Sequence, residues 1–399
     1  MLAALVLSAC STVVRQPAPP AEQTEAVAPL GIANARFWLD ARPDELEREG
    51  ELAAQRETAL LPRGASLPPA AMLALSGGAD SGAFGAGLLV GWTAAGSRPE
   101  FNIVTGISAG ALIAPFAFLG PDYDPQLREV FTGVAPRDIL LLPRQVFAVF
   151  SLFGEALGDA SPLYRLIIRH ANEEMLAAIA REYRKGRLLL IGTTNLDLQR
   201  PVFWNIGAIA ASGHPGALDL FRRILLASAS IPGAFPPVLM PVELNGQSYQ
   251  EMHVDGGAAT QVFLYPPSLR LQELRAARGS RRQRVAYVVR NGRIDVEGES
   301  TRRGLFSIAR RAAATLLHFS AIGDISRIYL TTLRDNVDFR LAFIGSDFHA
   351  ERSEPFDQAF MQALFDYGYA QGREGGRWLS SPPGVSTATF PRGGAAAVR

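Results

Sequence analysis

The chain has 399 residues, 48% of them hydrophobic and 19% charged, enough to bury a large core in one globular domain with additional segments. Lys and Arg total 39 against 38 Asp and Glu, a formal net charge of +1, which leaves no global field to draw in nucleic acid. Cys10 is the sole cysteine, and His170, His214, His253, His318 and His349 have no ligand-like spacing. The sequence therefore points to no disulfide, no metal centre and no cofactor.

In chain order, Met1 to Cys10 reads MLAALVLSAC, an apolar run too short to span a bilayer that ends in Leu7-Ser8-Ala9-Cys10. That ending resembles the lipobox of bacterial lipoproteins. The resemblance implies a signal peptide over 1–9, a lipidated Cys10, and an anchor in the cell envelope, at the outer membrane facing the periplasm. Residues 10–32, rich in Pro, Ala, Glu and Thr, read as a flexible tether. Residues 33–69 read as an N-terminal helical extension: charge-dense Ala33 to Glu57 predicts one amphipathic helix outside the domain, and Pro62, Pro68 and Pro69 then mark the domain start.

From 70 to 385 short apolar strands alternate with helices. The predicted strands are Ala71–Leu75, Phe101–Val104, Leu188–Gly192, Pro201–Trp204, Val238–Val242 and Val285–Val289. The predicted helices are Phe84–Ala95, Ala109–Phe118, Leu218–Ser228, Phe306–Leu317 and Phe356–Tyr369. This alternation predicts an α/β fold, a three-layer α/β/α sandwich around a mostly parallel central sheet. Within Thr301 to Tyr329, Arg302, Arg303, Arg310 and Arg311 are mixed with Leu, Ile and Phe; this reads as a core helix with a solvated basic edge, the alternative being contact with a membrane surface.

Three elements carry chemistry. Gly106-Ile107-Ser108-Ala109-Gly110 follows a strand and precedes an apolar helix, the setting of a nucleophile elbow; the bland reading is a Ser N-cap between two packing glycines. Upstream, Leu75-Ser76-Gly77-Gly78-Ala79-Asp80-Ser81-Gly82 is a second strand, turn and helix, whose amides can converge as an oxyanion hole. A phosphate loop there lacks the Gly-Lys-Ser/Thr ending. Downstream, Met252-His253-Val254-Asp255-Gly256-Gly257 supplies a carboxylate able to accept a hydroxyl proton, although such a loop alone is most often a turn.

These elements in this order resemble the patatin-like phospholipase family, over about Ala71 to Val289. The resemblance implies a serine-dependent lipid acyl hydrolase of the phospholipase A or esterase type, a dyad without histidine working through an acyl-serine intermediate. By the same likeness Ser108 is the nucleophile, Asp255 the base, the amides of Gly77, Gly78 and Ala79 the oxyanion hole, and Gly106, Gly110, Gly256 and Gly257 the elbow and loop glycines. The implied partners are a lipid or ester substrate and, through the N-terminal anchor, a membrane. The pattern departs at two places: Ala79 holds the third glycine position and Ser81 that of a basic residue, which points to neutral esters. His253 shares a strand face with Asp255 and reads as structural. The rivals are a Ser-His-Asp α/β-hydrolase or thioesterase, for which His318 and His349 are candidates, and a non-catalytic envelope lipoprotein binding module. Phe116, Phe118, Phe147, Phe150 and Phe153 are candidates for an acyl-chain pocket, with core packing the plainer reading.

Overall fold

The computed structural model describes residues 15–41, 43–139, 156, 158–273, 282–296, 298 and 300–385. Cys10, Phe147, Phe150 and Phe153 lie outside the described residues. The strands are β1 (Arg36–Trp38), β2 (Ala70–Leu75), β3 (Ile103–Ile107), β4 (Leu188–Asn195), β5 (Arg200–Asn205), β6 (Val238–Leu244), β7 (Gln247–Asp255), β8 (Arg284–Arg290) and β9 (Asp338–Phe343). All join one sheet, in which β4, β3, β2, β8 and β9 run parallel in that spatial order. β5 and β1 continue the edge antiparallel, and the β6–β7 hairpin attaches to the end of β4.

The helices are α1 (Asp44–Ala59), α2 (Gly82–Ala94), α3 (Ala109–Leu119), α4 (Asp124–Thr132), α5 (Ser161–His170), α6 (Glu173–Arg184), α7 (Ile206–Ala211), α8 (Ala217–Ala229), α9 (Leu305–Arg334) and α10 (Gln358–Arg373). Why the sheet needs cover on both faces is visible in β2. Its six residues AAMLAL are all buried, and strand side chains alternate between faces. Ala71, Leu73 and Leu75 join the core built with α2, α3 and α10, whereas Met72 and Ala74 join Ile325, Ile328 and Tyr329 of α9. Two cores on opposite faces make the three layers.

The N-terminal segment differs from its sequence reading. Residues 15–32, expected as part of a flexible tether, are docked: Arg15 pairs with Asp197 at 2.7 Å, the Gln250 amide donates to the Pro17 carbonyl, and Thr24, Val27 and Pro29 are buried. Apolar side chains and a strand edge give this stretch somewhere to bind, which composition alone does not reveal. Nor is Ala33 to Glu57 one helix outside the domain. Arg36-Phe37-Trp38 forms β1 on the sheet, fully buried, and the helix starts only at Asp44 after Pro43, a residue tolerated at a helix start and not within it.

A buried ion pair explains why a charged residue occupies that strand. The Arg36 guanidinium grips both carboxylate oxygens of Glu251 on β7 and donates to the Thr24 carbonyl. Burial pushes the Glu251 carboxyl up, but His253 and Arg36 outweigh it and bring the group down to about 2. A charge so deep in the protein is stable only with such partners.

Candidate active site

Ser108 stands between the end of β3 and the start of α3 with φ 55° and ψ −124°. A non-glycine residue held there costs on the order of 1–3 kcal/mol, tolerated only where the surroundings over-determine it. They do so here. A Cβ on Gly106 would lie 2.4 Å from the Gly110 carbonyl oxygen, and one on Gly110 2.3 Å from that of Leu75, so only glycines permit strand, turn and helix to approach this closely. The Ser108 amide donates to the Ser228 hydroxyl at 3.0 Å, which in turn donates to the Gly192 carbonyl at 2.7 Å.

Sheet register brings Asp255 to the same place. β3 ends with Ile107 opposite Gly192, and the very next residue of β4, Thr193, is opposite Asp255 on β7. The β7 strand thus takes over the flank of β4 where β3 turns away. Its end is clamped by the Asp255 amide donating to the Ser230 carbonyl at 2.9 Å and by the Gly257 amide donating to the Asp255 carboxylate at 2.7 Å. Burial raises the Asp255 carboxyl to about 6, opposed by hydrogen bonds from the Ser108 hydroxyl and the Gly257 amide. Hydroxyl and carboxyl, distant in sequence, meet in the fold. Ser228 and Ser230 lie in the segment Ala227 to Pro237, which also resembles the patatin-like family, but sequence reasoning assigns them no role; their signal is a Ser-x-Ser pair at the C-terminal end of α8.

The glycine-rich loop needs one correction. The Gly77 amide, expected as an oxyanion donor, donates to the Gln261 carbonyl at 3.0 Å and so has no proton to offer. Among the described residues no acceptor takes the amides of Gly78 and Ala79, which line the cleft beside Ser108. Ala79 adopts φ 51°, a conformation glycine would hold without strain. Asn291, just past β8, braces the loop: its amide donates to the Ser76 hydroxyl at 2.8 Å and its Nδ2 to the Ser76 carbonyl at 2.7 Å. A cation reaches this loop from the same strand. Arg290 lines the cleft and donates to the Gly77 carbonyl at 3.2 Å, its guanidinium lowered to about 10 by burial, against the pull of Asp324. Arg290 and Asn291 were not singled out in the sequence; the signal was their place at the C-terminal end of a parallel strand, where such sheets form their sites.

Ser108 and Asp255 open on a cleft of about 1250 Å³. On its other side Ser108 touches an apolar cavity bounded by Leu112, Val130, Leu163, Leu166 and Phe235, adjoined by a second lined by Phe116 and His170. Phe118 is core. The histidine candidates divide. His253 is spent: its Nε2 is 3.1 Å from Glu251 and its Nδ1 2.9 Å from the Thr193 hydroxyl, with burial lowering its pKa. His318 and His349 line the cleft wall, but among the described residues neither bonds Ser108 or Asp255. Among the described residues no cluster of three His, Cys, Asp or Glu side chains is arranged to hold a metal ion.

Residues 73–265 match the family model for Patatin-like phospholipase. The chain carries a patatin-like phospholipase domain. That domain contains Ser108 and Asp255, while Arg290 and Asn291 reach its glycine loop from beyond its matched end. No curated protein matches the chain. Solved structures similar to it include VipD from Legionella pneumophila, 11% identical, with TM-score 0.35, covering 82% of this chain and 73% of that one. The type III effector protein ExoU is 13% identical, with TM-score 0.28, covering 78% and 54%.

Proposed function

We propose that the chain is a serine-dependent lipid acyl hydrolase of the phospholipase A or esterase type, with Ser108 as nucleophile and Asp255 as its general base. The observation that carries this reading is that Ser108 and Asp255, both buried, are brought together in the wall of one large cleft, with the Ser108 hydroxyl close enough to lower the Asp255 carboxyl against its burial. Asp255 takes the hydroxyl proton as Oγ attacks the ester carbonyl carbon, and the resulting oxyanion is met by the Gly78 and Ala79 amides. Collapse expels the alcohol, which receives the proton from Asp255. Water then attacks the acyl-serine, gives its proton to Asp255, and releases the fatty acid as the proton returns to Ser108. The acyl chain points to the apolar side of Ser108, where the cavity between α3, α4 and α5 holds about 40 Å³ and widens to take it, and the leaving group stays in the cleft on the Arg290 side, which suits a phosphate as well as a neutral alcohol. Cys10, lipidated, tethers the enzyme to the envelope membrane.

The base works only as a carboxylate, so activity follows its ionisation. With the folded pKa raised to about 6, kcat/KM for a soluble ester should be level above pH 7 and fall about tenfold per unit below pH 6. A profile with no acid limb between pH 4 and 8 would mean that no carboxyl serves as the base.

The reading as a whole is tested by following acid release from p-nitrophenyl esters and from phospholipid vesicles, with cell fractionation alongside. Turnover should depend on Ser108 for both substrates, and Cys10→Ser should turn a protein released from membranes only by detergent into one released by washing with salt or carbonate, without loss of soluble-ester activity. Absence of Ser108-dependent turnover on every ester would leave only a lipid-binding module.

A further inference from the structure

We propose that the first half of α9, residues 305–319, is an interfacial helix that lays an apolar stripe into an anionic lipid surface and presses the mouth of the cleft against it. Leu305, Ile308, Ala309, Ala312, Leu316 and Phe319 recur at the i, i+3, i+4, i+7, i+11 and i+14 positions of one helix face, the spacing of an amphipathic stripe. In a core helix such a stripe faces inward. Here Leu305, Ile308, Leu316 and Phe319 are 78, 55, 72 and 61% exposed, and neighbouring Phe306 is 74% exposed. The half-buried residues are instead Ser307, Arg311 and His318 on the opposite face. The helix is therefore inverted, polar towards the protein and apolar towards solvent. Beyond residue 320 the pattern reverts, with Ala321, Ile325, Ile328 and Tyr329 buried, so the exposed half projects from an anchored stem. This corrects the core-helix reading of the sequence.

Charge and continuity name the occupant. Between Ser300 and Gly323 the chain has four arginines and no acidic residue, and Arg302 and Arg303, exposed at the head of the helix, meet a lipid headgroup layer as the apolar stripe sinks below it. Leu316, His318 and Phe319 belong at once to this helix and to the wall of the Ser108 cleft, whose rim also carries the exposed Val296. A lipid leaving the bilayer at this face enters the cleft without crossing water. Among the described residues no helix is long and apolar enough to cross a membrane, so the helix lies along the surface. The role in catalysis rests on the acyl hydrolase reading; the docking itself does not.

The test uses full-length Cys10→Ser protein, so that no acyl anchor masks the helix. Binding is measured by flotation with phosphatidylcholine vesicles and with mixed phosphatidylcholine and phosphatidylglycerol vesicles. The parent should bind the mixed vesicles more tightly. The triple variant Leu305→Ser, Phe306→Ser, Ile308→Ser changes exposed residues outside the cleft wall. It should lose about tenfold or more in vesicle binding and in phospholipid hydrolysis, with unchanged melting and unchanged turnover of a soluble ester. Arg302→Gln with Arg303→Gln should weaken only the anionic vesicles. Parent-like vesicle binding by the triple variant would overturn the proposal. So would concentration-dependent self-association that the triple variant abolishes, which assigns the face to a second copy. Helix-dependent vesicle binding by a protein that hydrolyses no ester would uphold the docking and sink the enzymatic reading instead.

Discussion

Ser108→Ala and Asp255→Asn should each reduce ester turnover by about 10⁴-fold or more, and the double variant should be scarcely slower than either, because residues that act as one unit are strongly non-additive. Alanine keeps the φ 55° backbone of Ser108 at no greater cost than serine does. Asparagine still accepts the Gly257 amide bond but cannot take a proton. The two variants should part company in stability. With its pKa raised from 3.8 to about 6, Asp255 favours the folded state below pH 3.8 relative to high pH, and that advantage is lost as pH rises through 6. At pH 8 the folded protein carries the burden of a buried, weakly compensated charge, on the order of 2–3 kcal/mol. Asp255→Asn removes that burden, so it should melt higher than the parent at pH 8 while being inactive. Stopped turnover with a lowered melting point would instead indicate a structural role for the carboxylate.

Gly78→Ala should be the most damaging single change in the glycine loop. A Cβ there would lie 2.0 Å from the Asn291 carbonyl oxygen and 2.7 Å from the Asn291 Cβ, and Asn291 cannot retreat because it is tied to Ser76 and to the Gly85 amide. The loop must therefore move, which tilts the Gly78 and Ala79 amides away from the oxyanion. The expected loss is about 10²–10³-fold in kcat and about 1–3 kcal/mol in stability from overpacking. Ala79→Gly is the contrasting control. It relieves the positive φ at 51° and should leave kcat equal or higher. Steady-state kinetics with urea unfolding separates the two, and near-parent kcat for Gly78→Ala would remove this loop from the chemistry.

Much of this arrangement was legible in the sequence because it depends on short apolar strands ending in glycine turns. β2, β4 and the GISAG elbow follow that grammar. β3 was placed too early, at Phe101 to Val104, because Gly106 does not resemble a strand residue and Ile107 was assigned to the elbow, yet Ile103 to Ile107 pair with β4 and Ile103 to Gly106 with β2 as well. β7 was overlooked as a full strand since its first half, Gln247 to Glu251, is polar and gains its place from β6. Arg36 looked like part of a charged helix because its partner Glu251 lies 215 positions away, and no local pattern announces such a pair. The same blindness hid the commitment of the Gly77 amide to Gln261 and the reach of Arg290 to the Gly77 carbonyl. The stripe on α9 was readable as helical, but periodicity does not say whether an apolar face meets protein or solvent. α4, α5 and α6, which enclose the apolar cavity, went unmarked among mixed sequences whose burial is decided by neighbours.

The central claim is that Ser108 is an activated nucleophile, and covalent trapping tests it most directly. Full-length protein treated with a fluorophosphonate at pH 8, digested, and mapped by mass spectrometry should carry a single phosphonyl adduct, on Ser108. The adduct should be absent from Ser108→Ala and formed far more slowly in Asp255→Asn or below pH 6. An adduct on another residue, no adduct at all, or labelling of Ser108 that is indifferent to Asp255 and to pH would contradict the account.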